Sequence, residues 1–271
     1  MTVELLRDAS AVVEYHDGTD VDARLSPRPF LTATTPLGTP ATQVEPEDHL
    51  HHLGMSAALP DVNGTSFWGG RTYVRDHGST MLDNHGTQRV TGRDVHDGTV
   101  IEQIAWLDGH GAVLLDEERT ITVSAGDGRW EVVWVSRLTA LEQDVSFGSP
   151  QTNGRPGAFY GGLFWRAPFP VARVRTAEGQ GVDIAHGSLS PWICLDAEHA
   201  SLVGVSTNGM PWFVRAEGYV GFGPALAVDG RRELPRGETL RLDLAVAVMD
   251  GSPARPAEVA DQLLDGVRDA V

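Results

Sequence analysis

The sequence predicts an all-β fold of antiparallel strands, a sandwich or a barrel, on three observations. Its 31 glycines and 16 prolines are spread along all 271 residues, and helical patterns are scarce. Short runs of alternating apolar and polar residues recur from end to end, the period-two mark of half-buried strands. Asp-Gly pairs separate many of these runs, and Asp-Gly is a strong hairpin signal because glycine accepts the positive φ of a tight two-residue turn.

In chain order the runs are Ala11–Tyr15, Val100–Trp106, Val113–Leu115, Thr120–Val123, Trp130–Ser136, Leu138–Leu141, Leu202–Val205 and Leu240–Met249. The turn pairs are Asp17-Gly18, Asp97-Gly98, Asp108-Gly109, Asp127-Gly128, Asp229-Gly230 and Asp250-Gly251. Between Arg129 and Arg137, Trp130, Val132 and Trp134 share one face, while Val133 and Val135 make the other apolar too. Such a strand lies between two layers. Arg119, Ile121 and Val123 alternate with Glu118, Thr120 and Thr122, a half-exposed strand with Glu118 on its polar face. Only the C-terminal end reads as helix: Pro256 suits a first turn, and Val259, Leu263, Val267 and Val271 recur at four-residue steps. No internal repeat, low-complexity stretch or linker divides the chain, so one domain over residues 1–271 is expected.

The chain carries 37 acidic and 21 basic residues, a net charge of −16. That surface repels phosphate backbones and anionic lipid, which argues against nucleic-acid and membrane partners. No stretch approaches the ~18 consecutive apolar residues of a spanning helix, and Met1 to Arg7 has neither the basic start nor the apolar core of a secretory signal. Cys194, the single cysteine, lies in the apolar run Pro191–Leu195 and reads as a small buried hydrophobe. One thiol forms no internal disulfide, which fits a reducing compartment. A soluble, cytoplasmic protein is expected.

Chemistry concentrates in Glu47-Asp48-His49-Leu50-His51-His52-Leu53-Gly54, which holds three of the ten histidines beside two carboxylates. Imidazole carries protons, binds metals and polarises carbonyls near neutral pH. On a loop all three rings can converge; on a strand His52 would face away from the other two. Imidazoles with a carboxylate also make a catalytic metal site, so a divalent metal held by His49, His51 and Glu118 is a candidate cofactor. A polar turn follows, with Asp61, Asn63, Trp68 and Arg71, and His85 lies a little further on. Two aromatic stretches come later, one with Tyr160 and Arg166, the other with Trp212 and Arg215. Aromatics beside arginine and flanked by glycine suit a sugar, whose C–H face stacks on rings while its hydroxyls bond polar side chains. Gly-x-Ser-x-Gly, phosphate-loop and Cys-x-x-Cys motifs are absent.

Several segments resemble the PmoA-like family of bacterial proteins: Arg28-Pro29-Phe30-Leu31, the Asp48-His49-x-His51-His52-x-Gly54 motif, Asp61 to Trp68, Gly111 to Arg119, Phe159 to Leu163, Pro211 to Arg215, and Leu234 to Gly251. The resemblance runs from about Arg28 to Gly251. The family's inherited label, a methane oxygenase subunit, does not suit a chain without a spanning segment. What the resemblance implies is an antiparallel supersandwich similar to galactose mutarotase, with a carbohydrate cleft on the concave face of a large sheet.

The expected function is acid–base chemistry, metal-assisted or not, on a sugar or an oxidised glycoside. His51, His52 and Glu118 are the expected catalytic groups. His85, Asp61, Asn63, Trp68, Arg71, Tyr160, Arg166, Trp212 and Arg215 are the expected sugar contacts. A non-catalytic sugar-binding module and a metalloenzyme of double-stranded β-helix type are the alternatives.

Overall fold

The computed structural model of the chain describes residues 1–269. Two large sheets pack face to face, and strands pair antiparallel in every sheet. The seven-stranded sheet runs Thr2–Asp8, Ala11–His16, Phe30–Ala33, Met55–Ala58, Gly162–Ala167, Tyr219–Pro224, Trp212–Glu217. The nine-stranded sheet runs Gly179–Gln180, Arg173–Thr176, Trp192–Asp196, Ala200–Val205, Thr239–Asp250, Arg129–Thr139, Val113–Gly126, Thr99–Leu107, Thr87–His96. The architecture is a sandwich rather than a barrel.

Period-two alternation fills the space between the sheets. Trp130, Val132 and Trp134 meet Trp165, Trp212 and Phe222 of the facing sheet in one apolar core. The other side of strand Arg129–Thr139 is covered by helix Pro256–Asp269, where Val133 lies against a cluster containing Ala260, Leu263 and Val267. The two-layer reading of this strand and the C-terminal helix are both present; Val271 lies outside the described residues. Cys194 is buried in the same cluster, and burial together with Asp196 pushes its thiol up to about 12, an inert group.

Asp97-Gly98 turns the hairpin that pairs His96 with Thr99, with both turn residues at positive φ. Asp127-Gly128 joins Gly126 to Arg129. Two pairs of predicted runs are single long strands, Val113–Gly126 and Arg129–Thr139. The polar stretch Asp116 to Arg119 hid the continuity of the first, because Glu117 and Arg119 point inward and neutralise each other in the core.

The four strands from Met55–Ala58 to the edge strand Trp212–Glu217 of the seven-stranded sheet decide where the site sits. Their inward positions, among them Met55, Ala57, Leu163, Trp165, Trp212, Val214, Val220 and Phe222, belong to the core. Their outward positions include Ala58, Phe164 and Phe213, which form a separate apolar cluster with Trp68, Phe159 and Ala225 and with the partly buried Tyr160 and Tyr219. Segments 43–54, 59–71 and 149–161 fold over this outer face, the second of them including strand Asp61–Val62 of a small three-stranded sheet with Val145–Gly148 and Arg232–Leu234.

Candidate functional site

The histidine segment is a turn, not a strand. The His49 amide donates to the Pro46 carbonyl (2.9 Å) and the His52 amide to the His49 carbonyl (2.9 Å), so all three rings converge. His49 and His52 stack at 4.6 Å with planes 18° apart, and His51 meets His52 edge-on at 4.8 Å. The rest of the motif fixes the turn to the sheet. Leu53 is buried, and Gly54 sits at φ +44° where a Cβ would stand 2.0 Å from the Leu31 carbonyl oxygen, so only glycine fits. The Arg166 amide donates to the Gly54 carbonyl (2.9 Å), and the Gln43 amide returns a bond to the Arg166 carbonyl (3.0 Å).

Two arginines lie beneath the turn. Arg28, 2% exposed, donates to the carbonyls of His51 (2.7 Å), Leu25 (2.9 Å) and Ser26 (3.0 Å) and to the Ser56 hydroxyl (3.2 Å). No carboxylate pairs with it among the described residues, and burial pulls its guanidinium down to about 9. Arg166, 4% exposed, donates to His52 Nδ1 (3.2 Å), to Gln43 Oε1 (3.1 Å) and to Asp48 Oδ1 (3.3 Å), and its guanidinium lies 4.6 Å above the Tyr219 ring.

These partners fix the tautomers. Arginine only donates, so His52 Nδ1 must accept and its proton resides on Nε2. The Asp48 carboxylate only accepts, so His49 donates from Nδ1 (2.7 Å) and keeps a free lone pair on Nε2. The His51 ring has no hydrogen-bond partner among the described residues, and Gly70 lets it lie close: a Cβ there would stand 2.7 Å from His51 Nδ1. Burial first, then the charges of Arg28, His49 and Arg166, pull His51 down to about 3. Burial also depresses His52, helped by His51 and His49. Burial acts to raise Asp48, but the His49 hydrogen bond and the charge of Arg166 outweigh it and hold the carboxyl below its ordinary range.

The three imidazoles form one wall of a cleft of about 450 Å³, counted out to its open mouth. Trp68, Tyr160, Phe213 and Tyr219 supply aromatic surface, and Arg155 and Arg215 complete the lining with Ala158. Trp68 stands perpendicular to His52 at 5.6 Å and lies against Tyr160 at 4.4 Å. Arg215 donates to the Gly157 carbonyl (2.9 Å) and lies over the Phe213 ring at 4.8 Å. Among the described residues, no aspartate or glutamate lines this cleft.

Of the expected residues, His49, His51, His52, Trp68, Tyr160 and Arg215 come together here, and Arg166 lies directly behind His52. Glu118 does not. It is exposed on the outer face of the nine-stranded sheet, the opposite side of the sandwich, because Glu117 and Arg119 take the inward positions on either side of it. The set His49, His51 and Glu118 is therefore not assembled, and among the described residues no three His, Cys, Asp or Glu side chains are placed to hold a metal. Trp212 is a core residue, its indole donating to the Ser190 carbonyl (2.8 Å), and its neighbour Phe213 faces the cleft instead.

Asp61 is held by Arg231 (2.7 Å) and borders, with Arg71, a narrow crevice next to the cleft. Asn63 is a turn residue at φ +49° that donates to the Asp144 carbonyl (3.0 Å). His85 donates from Nε2 to the Gly70 carbonyl (2.7 Å), which supports the backbone against which His51 lies. Arg155, Ala158, Phe213 and Tyr219 are the lining residues outside the set expected from the sequence.

The fold is that of the galactose-mutarotase-like sandwiches. It is shared with a candidate aldose 1-epimerase from Escherichia coli K12, at TM-score 0.50 and 9% identity, over 92% of this chain and 100% of that one. A galactose mutarotase related enzyme from Lactobacillus acidophilus aligns at TM-score 0.46 and 10% identity, over 93% and 98% of the two chains. The chain belongs to the family of unknown function DUF6807, which matches residues 2–264. That description stands in place of the PmoA-like family drawn from the motifs, and its span exceeds residues 28–251. No curated protein matches the sequence. Among the described residues, no helix is long and apolar enough to cross a membrane.

Proposed function

We propose that the cleft binds a sugar and that the His49–His52 pair moves a proton on it. One observation carries this reading: two stacked imidazoles present opposite polar atoms, a lone pair on His49 Nε2 and an N–H on His52 Nε2. Asp48 orients His49 and stabilises the imidazolium formed when that ring takes a proton, which makes it the base. His52, kept neutral by burial and by Arg166, is a hydrogen-bond donor to an oxygen on which negative charge builds. His51, pulled down to about 3, is too weak a base for the role expected of it and serves as a polar contact. The carboxylate expected from Glu118 is supplied by Asp48, one step behind the reacting atoms.

Such a pair suits ring opening at an anomeric carbon, where a proton leaves one oxygen while charge grows on its neighbour. It equally suits proton abstraction beside a sugar carbonyl. Trp68, Phe213 and Tyr219 offer ring faces for the C–H surface of the sugar. The fold shared with a candidate aldose 1-epimerase agrees with this reading.

The test is anomer interconversion followed by NMR, together with hydrogen–deuterium exchange at carbons next to a keto group, on a panel of aldoses and keto-sugars. His49→Ala is expected to lower turnover by about 10²-fold or more while the protein remains folded. Unchanged turnover removes His49 from the mechanism, and absence of binding by every sugar removes the reading itself. A non-catalytic sugar-binding site is the second reading, favoured by the lack of a carboxylate on the cleft wall among the described residues. It requires sugar binding with neither exchange nor interconversion.

A further inference from the structure

The site is positively charged inside a protein of net charge −16. Four guanidinium groups, those of Arg28, Arg155, Arg166 and Arg215, line the cleft or lie directly behind it, and among the described residues Asp48 is the one carboxylate within ion-pair distance of any of them. That carboxylate is already engaged by Arg166 and His49. Arg28, Arg155 and Arg215 take part in none of the ion pairs formed among the described residues, whereas eleven of the other eighteen arginines do. Glu217 borders a different groove, which Arg215 also touches, without coming within ion-pair distance of it.

Arg215 is held in place by the Gly157 and Val214 carbonyls and by the Phe213 ring, so its charge is fixed toward the cleft. Arg155 stands at the rim on a loop tied down by its own backbone, its amide donating to the Pro150 carbonyl (2.8 Å), and its side chain has no partner among the described residues. Tyr219 links the two ends of the cleft: its ring centroid lies 5.0 Å from that of His49, and its phenol lies within the fields of Arg215, Arg166 and Arg155. Guanidinium pairs of this kind recognise carboxylate and phosphate through paired N–H donors.

We infer that the cleft takes an anionic sugar, one whose carboxylate or phosphate lies between Arg155 and Arg215 while the opposite end of its ring faces His49 and His52. This rests on the sugar-binding reading above. It adds a specificity: neutral hexoses lack the group that Arg155 and Arg215 are placed to meet. An anion there would complete the charge balance that the protein leaves open.

Calorimetric titration separates the possibilities. Glucuronate, galacturonate and glucose 6-phosphate are compared with glucose and galactose, and with acetate and inorganic phosphate as anions without a sugar ring. Charged sugars are expected to bind about tenfold tighter or more than their neutral parents, the worth of a charge-assisted hydrogen bond. That ratio should shrink in high salt and collapse toward one in Arg155→Gln, a change at an exposed rim position that leaves the fold intact. Whichever of the uronates or the sugar phosphate binds tighter identifies the anion. Equal affinity for charged and neutral sugars would overturn the inference and leave the sugar reading standing. Acetate or phosphate binding as tightly as the charged sugars would overturn it too, as an anion site indifferent to the ring. No binding by any sugar would remove both.

Discussion

The interior of the sandwich and the cleft on its outer face both bury arginine, and they treat it in opposite ways. Arg119, 0% exposed, makes two bonds of 2.8 Å to Glu117 and a third of 2.9 Å to Gln88. Glu117 in turn takes the Trp106 indole N–H (2.7 Å) and the Ser136 hydroxyl. Next to it Glu102 accepts from Tyr15 and Arg93. Burial alone would lower the Arg119 pKa, but Glu117 and Glu102 raise it. Beneath the histidine turn, burial of Arg28 goes uncompensated by any carboxylate, and its guanidinium falls to about 9. A guanidinium matched by carboxylates holds strands together; one left among carbonyls and imidazoles keeps its field available to whatever enters.

The sharpest way to break this comparison is to remove the matched arginine. Arg119→Ala strands Glu117 without its counter-charge, at a cost of about 3–5 kcal/mol, measured by urea unfolding. Joining Arg119→Met to Glu117→Leu should recover much of that loss, because apolar groups of similar size replace a buried pair at little cost. A loss under about 1 kcal/mol for the single change would mean that the interior network behaves like a surface pair.

A smaller effect, on the cleft side, appears in the pH dependence of stability. His16, His51, His52 and His186 all have folded pKa values below the ordinary 6.5, burial being the leading cause each time. The unfolded chain therefore binds these protons first, so stability declines as pH falls below 6.5 and is unaffected by them above it. For His51 the decline continues toward pH 3. The aspartates with lowered pKa lose their share of stability as unfolded-state carboxyls protonate, below about pH 5, so the window from 6.5 down to about 5 belongs to the imidazoles. Melting temperature should drop across that window, and more gently in His51→Gln. A flat profile would mean that the cleft is wetter and less positive than its packing indicates.

How much of this was legible in the sequence depended on what each residue had to satisfy. Trp130, Val132 and Trp134 were readable because burial on one face imposes a period of two and leaves no other arrangement. The convergence of His49, His51 and His52 was readable once the segment was taken as a loop, and Leu53-Gly54 marks the anchor that holds it. Register errors were less visible. In Trp212-Phe213 either ring could face a ligand, and only the pairing of Trp212 with Pro224 and Phe213 with Gly223 assigns Trp212 to the core. Arg155 lies in Asn153-Gly154-Arg155-Pro156-Gly157, where no periodicity exists to show which way it points. Tyr219 gains its role from strand order, which brings residues some 170 positions apart in sequence into one wall and leaves no local trace.

Glu118 gives the smallest expected effect and the cleanest control. As the alternation of the strand predicts, Arg119, Ile121 and Val123 turn inward while Glu118 turns out. An outward carboxylate on this strand does not meet the histidines, because a sandwich has two outer faces and the cleft lies on the other one. Glu118 pairs across the sheet with Arg137 and Gln103 at exposed positions or nearly so, where charges are screened and contribute little. Glu118→Gln should shift stability by no more than about 0.5 kcal/mol and leave sugar affinity and any turnover as they were. A clear loss of either binding or turnover would show that the nine-stranded sheet's outer face reaches the reaction, and would return the carboxylate role from Asp48 to Glu118.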